Sequence, residues 1–348
     1  MKNIKKILIN ENATIKQALK IISKGAIQIG IVVNDKKKLV GTLSDGDIRR
    51  GFLNDLNLDS SIKSIIYKKP IIAKKNESKE KFLKNALSKN IYQIPIVDGK
   101  NKVIGIHLFD KFIKEENKSN KVVIMAGGRG MRLRPLTKDI PKPMLKVGDK
   151  PILQTIIEKF KQSGFKNFII CVNYKYKVIT NFFGNGKKFG VKIQYVHEKK
   201  RLGTAGALSI IKEKINEPFF VINGDLLTTL NFGKMLNFHI EHNSKSTIAI
   251  KEHVINVTYG IVKIKNLDVL SINEKPNINY FVNAGIYLLD PNCIRFVPKN
   301  KKFDMPSLLK KIITKKYKTI CFPIQEDWLD IGRLDDFKKA QSDHSQVI

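Results

Sequence analysis

Between Val122 and Met144 the chain reads VVIMAGGRGMRLRPLTKDIPKPM. An unbroken apolar run, Val122–Ala126, leads into Gly127, Gly128 and Gly130, with Arg132 and Lys142 close behind. Such a run has no polar face to offer water, so it reads as a strand buried on both sides, as in parallel sheets. Glycines directly after it let backbone N–H groups approach a ligand with no Cβ in the way, and successive amides form an anion-holding concavity. Arg132 adds a planar guanidinium fork. Lys142 adds a point charge on a backbone stiffened by Pro141 and Pro143. Together they fit a nucleoside triphosphate. A dinucleotide fingerprint would enter a helix at once and place an acid about 20 residues on; here a proline-rich loop intervenes. The GxxxxGK[ST] spacing of a P-loop is absent. A plain turn has no use for two arginines and a lysine.

The 348 residues suffice for two domains at roughly 100–200 residues each. With hydrophobic residues at 42%, sizeable cores can form. No apolar run reaches the roughly 18 residues of a membrane span, and the apolar part of the N-terminus, Ile7–Ile9, is too short for an export signal. Cys171, Cys293 and Cys321 lie far apart in apolar runs, which reads as buried thiols in a reducing cytoplasm rather than a disulfide framework or zinc site. The net charge of +33 invites a nucleic-acid reading. Yet the lysines run along the whole length with abundant Ile and Asn, as expected of an AT-rich genome, so neither nucleic acid nor membrane is the expected partner. The positive field favours anionic substrates. His239 and His242, three apart on a helical pattern, read as a solvated face without a third metal ligand.

The first 114 residues contain an echo. IGIVVNDKKKLVGTLSDGDI (Ile29–Ile48) returns as YQIPIVDGKNKVIGIHLFDKFI (Tyr92–Ile113). Each copy reads strand, Asp-containing turn, strand ending in Gly, helix start. Each follows a helical pattern, Ile15, Ala18, Leu19, Ile22 in one and Phe82, Leu83, Ala86, Leu87 in the other, behind polar cap regions Asn12–Thr14 and Asn76–Ser78. This organisation resembles a tandem pair of CBS modules, with halves at about 1–56 and 57–114 and a polar linker at 115–120. The resemblance implies an adenine nucleotide between the halves, held by Ser44 and Asp47. The second copy departs, with Leu108 at the hydroxyl position and Asp110 displaced.

From 121 to 348 the loop motif resembles the signature of sugar-1-phosphate nucleotidyltransferases, and further motifs follow in that family's order. HEKKRLGTAGAL (His197–Leu208) supplies Gly203, Thr204 and Ala205, small residues against which the base or ribose can lie. FFVINGDLL (Phe219–Leu227) delivers Asp225 at a strand's carboxyl end, where open α/β sheets place ligands. The resemblance makes Asp225 a Mg²⁺ ligand, and Asp330 in WLDIGR (Trp328–Arg333) the second. It places Tyr259 and Gly260, then Glu274 and Lys275 in INEKP, then Asn283 and Gly285 in YFVNAGIYLLD, around the sugar phosphate. Arg333 stands where the family usually has Thr, and Trp328 reads as a core anchor.

The expected architecture is therefore α/β: a Rossmann-like, mixed, mostly parallel sheet preceded by an α+β tandem CBS module. The expected reaction joins a nucleoside triphosphate and a sugar 1-phosphate into a nucleotide sugar, releasing pyrophosphate. Arg132 and Lys142 carry the catalysis, Gly127, Gly128 and Gly130 cradle phosphate, and Mg²⁺ is the cofactor. The pairing of CBS modules with this domain resembles bacterial enzymes that make GDP-activated amino sugars, mannose or heptose for surface glycans and nonulosonic acids. GTP with glucosamine, mannose or heptose 1-phosphate is thus favoured, in a homo-oligomer. Uridylyl or thymidylyl transfer to glucose 1-phosphate is the alternative. A nucleotide-sensing regulator with an inert transferase domain is another, and would have lost the catalytic charges.

Overall fold

The computed structural model describes residues 4–25, 29–75, 77–78, 81–82, 86, 91–108, 117–324 and 326–342. The chain forms two compact units, Met1–Lys114 and Glu115–Ile348. Of the sequence expectations, Asn76, Leu83, Leu87, Asp110 and the first linker residues lie outside the described set.

In the first unit β1 (Leu8–Asn10), α1 (Ile15–Gly25), β2 (Ile29–Val33), β3 (Leu39–Ser44) and α2 (Asp45–Leu53) make one half, with sheet order β1-β2-β3. The predicted stripe on α1 is buried: Ile15 and Ala18 are fully covered, with Leu19 and Ile22 nearly so. β4 (Ala73–Lys74), β5 (Gln93–Val97) and β6 (Val103–Leu108) repeat the sheet as β4-β5-β6. The copies agree in detail. β1 and β4 run parallel to β2 and β5, which pair antiparallel with β3 and β6. The register breaks at Val32/Val33 in one hairpin and at Ile96/Val97 in the other. Gly41 and Gly105 occupy the same position beside that bulge. Ser44 pairs with Ile29, and Leu108 with Gln93, so Leu108 stands at the register position of the first copy's hydroxyl. Phe82 and Ala86 are buried in the second half's core.

The second unit is built on a seven-stranded sheet. β7 (Lys118–Met125) starts earlier than its apolar run, taking in polar residues read from sequence as linker. They are tolerated because they are satisfied. Lys118 N–H donates to the Gly164 carbonyl, Ser119 Oγ to Glu217, and Asn120 Nδ2 to the Pro218 carbonyl. A small hairpin, β8 (Lys146–Val147) and β9 (Lys150–Pro151), precedes α3 (Ile152–Gln162), β10 (Phe165–Val172), α4 (Tyr176–Phe183) and β11 (Lys192–His197). A one-turn helix α5 (Gly203–Gly206), β12 (Phe219–Asn223), β13 (Leu226–Thr228) and α6 (Phe232–Glu241) follow. Then come β14 (Ser246–Asn256), β15 (Ile261–Lys265), β16 (Asp268–Asn273), β17 (Asn277–Leu289), α7 (Met305–Thr314), β18 (Thr319–Ile324), β19 (Trp328–Asp330) and α8 (Leu334–Ser342).

The sheet order is β11-β10-β7-β12-β17-β14-β18. All its pairings are parallel except the two made by β17, with β12 and β14. Val122, Val123 and Ile124 of β7 are wholly buried, as its apolar run demands. One face is closed by an aromatic cluster in which Phe160 meets Phe165, Phe168, Phe220 and Phe232. Met125 is in register with Cys171 on one side and Asn223 on the other. Three parallel strands therefore end level with one another, and the loops that leave them meet over one edge. The paired β15 and β16 stand apart from this sheet, with every side chain on both strands exposed.

The thiols behave as buried apolar groups. Cys171 and Cys293 are buried, and burial pushes the Cys293 thiol up to about 12. His239 differs from its sequence reading: it is 2% exposed, and its Nδ1 lies 2.8 Å from Thr247 Oγ1. Burial pulls its imidazole down to about 4. No described helix is long and apolar enough to cross a membrane.

Candidate active site

The loop after β7 is held by contacts that require its glycines. Gly130 has φ +61°, and a Cβ there would sit 2.9 Å from Thr137 Cγ2 and 3.1 Å from Lys142 Cβ. The Thr137 hydroxyl donates to the Gly130 carbonyl at 2.8 Å, closing the turn. Gly127 abuts Glu198, and a Cβ would fall 2.6 Å from Glu198 Oε1. Gly128 has open space on its Cα, with nothing within 4 Å. Gly127 and Gly130 are thus fitted to the protein, while Gly128 faces open space.

A cavity of about 280 Å³ opens above this loop, lined by Gly128, Gly130, Arg132, Lys142, Arg201 and Asp225 among others. The predicted cations and the first predicted carboxylate share it. Lys142, on the short turn after Pro141, is 9% exposed and ion-pairs with Asp225. Asp225 follows β12, where Gly224 comes so close to β7 that a Cβ would lie 2.9 Å from the Met125 carbonyl.

The second carboxylate arrives from the far end of the chain. β13 and β19 pair antiparallel with Leu226 opposite Asp330, and Ile331 N–H donates to the Asp225 carbonyl at 3.1 Å. Asp330 is exposed, yet desolvation by the protein around it, then the charge of Asp225, raise its carboxyl above the usual carboxylate range, while Lys142 and Arg132 pull it down. Asp330 therefore feels all three of the other charged groups. Two carboxylates forced together fit a hard divalent cation, and Mg²⁺ typically takes one or two carboxylates plus phosphate oxygens and water. No cluster of three or more His, Cys, Asp or Glu ligands exists among the described residues.

Asp330 also lines a second cavity of about 400 Å³, with Thr204, Asn223, Asn283, Gly285 and Trp328. Gly285 has φ +72°, and its missing Cβ leaves room for Asn223 Nδ2 at 2.7 Å. Asn283 Oδ1 accepts from Gly285 N–H at 3.0 Å and its Nδ2 donates to the Tyr287 hydroxyl at 2.8 Å. Trp328 is only partly buried and donates from Nε1 to the Ala284 carbonyl at 2.9 Å, so it is a cavity wall rather than a core anchor.

Of the remaining predicted residues, Gly203, at φ +81°, and Thr204, which also lines the second cavity, pack on Asp304: Thr204 N–H donates to Asp304 Oδ1 at 3.0 Å, and Met305 N–H donates to Thr204 Oγ1 at 2.8 Å. Ala205 is wholly buried, with its amide on the Phe303 carbonyl; it packs and presents no surface to a ligand. Tyr259, Gly260, Glu274 and Lys275 gather at the base of the exposed β15–β16 pair, where a Cβ on Gly260 would meet Glu274 Oε2 at 2.7 Å. Tyr259 is 79% exposed, and none of the four lines either cavity. Ser44 and Asp47, in the other unit, form a capping box on α2: Ser44 Oγ accepts from Asp47 N–H, and Asp47 Oδ2 accepts from Ser44 N–H at 2.8 Å.

Two residues beside the first cavity were not singled out from sequence. Arg201 lines it. Glu198 is buried against Gly127, accepts from Leu202 N–H at 2.9 Å, and has its carboxyl raised by desolvation. Both lie in the quoted HEKKRLGTAGAL segment, where nothing but their order among other charges marks them.

A family profile described as nucleotidyl transferase matches residues 121–347. The chain belongs to that family. A second profile, CBS domain, matches residues 3–54, the first copy of the repeat. Among relatives, the chain is 33% identical over 229 residues to the mannose-1-phosphate guanylyltransferase catalytic subunit beta of Dictyostelium discoideum, covering 62% of each chain. It is 30% identical over 241 residues to a UTP–glucose-1-phosphate uridylyltransferase of Synechocystis, covering 63% of this chain and 62% of that one. It is 34% identical over 220 residues to the D-glycero-alpha-D-manno-heptose 1-phosphate guanylyltransferase of Campylobacter jejuni, covering 62% of this chain and 96% of the relative. The chain thus spans about three fifths of the first two relatives' length. The crystal structure of HddC from Yersinia pseudotuberculosis complexed with GMP-PN superposes with a TM-score of 0.51 at 28% identity, over 65% of this chain and 99% of that one.

Proposed function

We propose that this protein is a sugar-1-phosphate nucleotidyltransferase that uses GTP. One observation carries the reading: Arg132, Lys142 and Asp225 line one cavity, and the β13–β19 pairing sets Asp330 beside Asp225. Two polyanions repel, so the reaction needs cations that gather them and offset charge at the reacting phosphorus. In the proposed step a phosphate oxygen of the sugar 1-phosphate attacks the α-phosphorus in line. The α–β bridging P–O bond breaks, and its electron pair leaves with pyrophosphate. No enzyme-bound intermediate forms. Amides of Gly128 and Gly130 and the Arg132 guanidinium hold the β- and γ-phosphates. Lys142 exchanges its Asp225 partner for the α-phosphate, and Asp225, so freed, would hold a cation together with Asp330. Mg²⁺ held there would supply charge neutralisation at the α-phosphate.

Support for guanine comes from the guanylyltransferase relatives and the neighbour complexed with GMP-PN. The second cavity, with Asn283, Gly285 and Trp328, suits a sugar ring. Convergence of four catalytic charges argues against an inert, purely regulatory domain.

The test offers ATP, CTP, GTP, UTP and dTTP in turn with mannose, heptose, glucosamine and glucose 1-phosphates and measures pyrophosphate release. GTP with a mannose, heptose or glucosamine phosphate is the expected pair. Turnover with UTP or dTTP alone would refute the guanine assignment, and no turnover with any pair would refute the reaction.

A further inference from the structure

A third cavity of about 840 Å³, larger than the two above, shares no lining residue with the triphosphate cavity or the sugar cavity. It lies over the β10–β11 side of the sheet. Its floor is apolar: Ile169 of β10, Val196 of β11, and Leu202, Ile210 and Ile211. This floor is open because the chain after α5 makes only a short 3₁₀ turn, Ala207–Ile210, before continuing irregularly to β12. The rim carries Lys199, Lys200 and Lys212, all exposed. None of these three forms an ion pair among the described residues. Glu213 is the single acidic lining residue, and Lys121 already pairs with it.

An apolar floor with a cationic rim selects by chemistry. A bare inorganic anion has no use for the floor, and a neutral apolar ligand has none for three lysines. A flat ring joined to two phosphates uses both, and the volume falls within the roughly 300–1,000 Å³ typical of small-molecule sites. The rim is also wired to the catalytic side. Lys199, Lys200 and Leu202 line this cleft, while Arg201, between them, lines the triphosphate cavity. The Leu202 amide holds the Glu198 carboxylate. An occupant that draws Lys199 and Lys200 inward therefore pulls on Arg201 and Glu198.

We propose that this cleft is a second, non-catalytic site for a nucleoside diphosphate group, free or carried on a sugar nucleotide, and that filling it displaces Arg201. The binding half stands on the cleft alone; the coupling half rests on the proposed reaction. The test uses the full chain, GDP as probe, and hydrogen–deuterium exchange read separately at residues 207–213 and at the 127–133 loop. GDP is expected to slow exchange at both. Ile211→Trp, which fills the cleft, and Lys212→Glu, which reverses a rim charge, should each abolish protection at 207–213 and leave that at 127–133. With turnover measured, GDP inhibition of the unaltered enzyme should persist in part at saturating triphosphate, and Ile211→Trp should remove that part while keeping turnover without GDP. Protection confined to 127–133 would overturn the cleft site. Equal protection of 207–213 by pyrophosphate alone would overturn the diphosphate-plus-ring chemistry. Protection confined to 207–213 would support the cleft while counting against the catalytic reading.

Discussion

Gly127 and Gly128 are neighbours in sequence, yet their substitution by alanine should fail in different ways. A Cβ at Gly127 would stand 2.6 Å from Glu198 Oε1 and 3.3 Å from Asn173 Cβ, both inside ordinary contact distance. Glu198 cannot retreat freely, because it is buried and its other oxygen accepts from Leu202 N–H. Forcing a methyl into such a site costs about 1–3 kcal/mol. At about 2–4 °C per kcal/mol for a unit of this size, Gly127→Ala should lower the thermal midpoint of the Glu115–Ile348 unit by roughly 2–12 °C. At Gly128 a Cβ meets nothing within 4 Å, so Gly128→Ala should leave that midpoint unchanged. Its added methyl instead obstructs the approach of a phosphate to the backbone amide. Losing one hydrogen bond to a charged group costs about 1.5–3 kcal/mol, or roughly tenfold to a hundredfold in KM for the triphosphate. Thermal scans of the full chain and steady-state kinetics with GTP read the two effects. Equal destabilisation by both substitutions, or an unaltered KM in Gly128→Ala, would refute the division of labour between the two glycines.

Further tests address the charges. Arg132→Ala should lower kcat by about 10²–10³, the loss typical of a preorganised charge donor; full turnover would remove Arg132 from the mechanism. Because partial desolvation and Asp225 raise the Asp330 carboxyl, protons compete with the cation above the ordinary carboxylate range. The Mg²⁺ concentration giving half-maximal turnover should therefore rise as pH falls, and Asp330→Asn should flatten that dependence while lowering turnover; an unchanged midpoint across pH would count against a metal role. His239 is neutral in the fold, with its imidazole pulled from 6.5 to about 4. Its contribution is present above pH 6.5 and is lost as pH falls towards 4, on the order of 3 kcal/mol in all. His239→Gln should be less stable near neutrality and show a shallower loss of stability on acidification; parallel stability–pH curves would show that His239 does not titrate on unfolding.

What the sequence disclosed follows from which contacts are local. The glycines, Arg132 and Lys142 are legible because strand, loop and cations are continuous from Val122 to Met144. The CBS-like echo is legible because its hairpins repeat down to the position of Gly41 and Gly105. Glu198 was hidden because its role depends on the missing Cβ of Gly127, some 70 residues away. His239 looked solvated from its helical spacing, yet Thr247 reaches it from β14. Lys118–Asn120 read as linker because their partners, Gly164, Glu217 and Pro218, are remote along the chain, Glu217 and Pro218 by 98 residues. That both faces of β15 and β16 are left uncovered depends on what packs beside them, which no local pattern states.

The β13–β19 pairing joins segments that are remote along the chain; Thr228 and Asp327, which hydrogen-bond across it, are 99 residues apart. A polypeptide emerging from the ribosome therefore completes its glycine loop, Lys142 and Asp225 long before the opposing aspartate exists. Because β14, β17 and β18 of the central sheet lie in that same interval, the two aspartates come together only once the last strands of the sheet have been made.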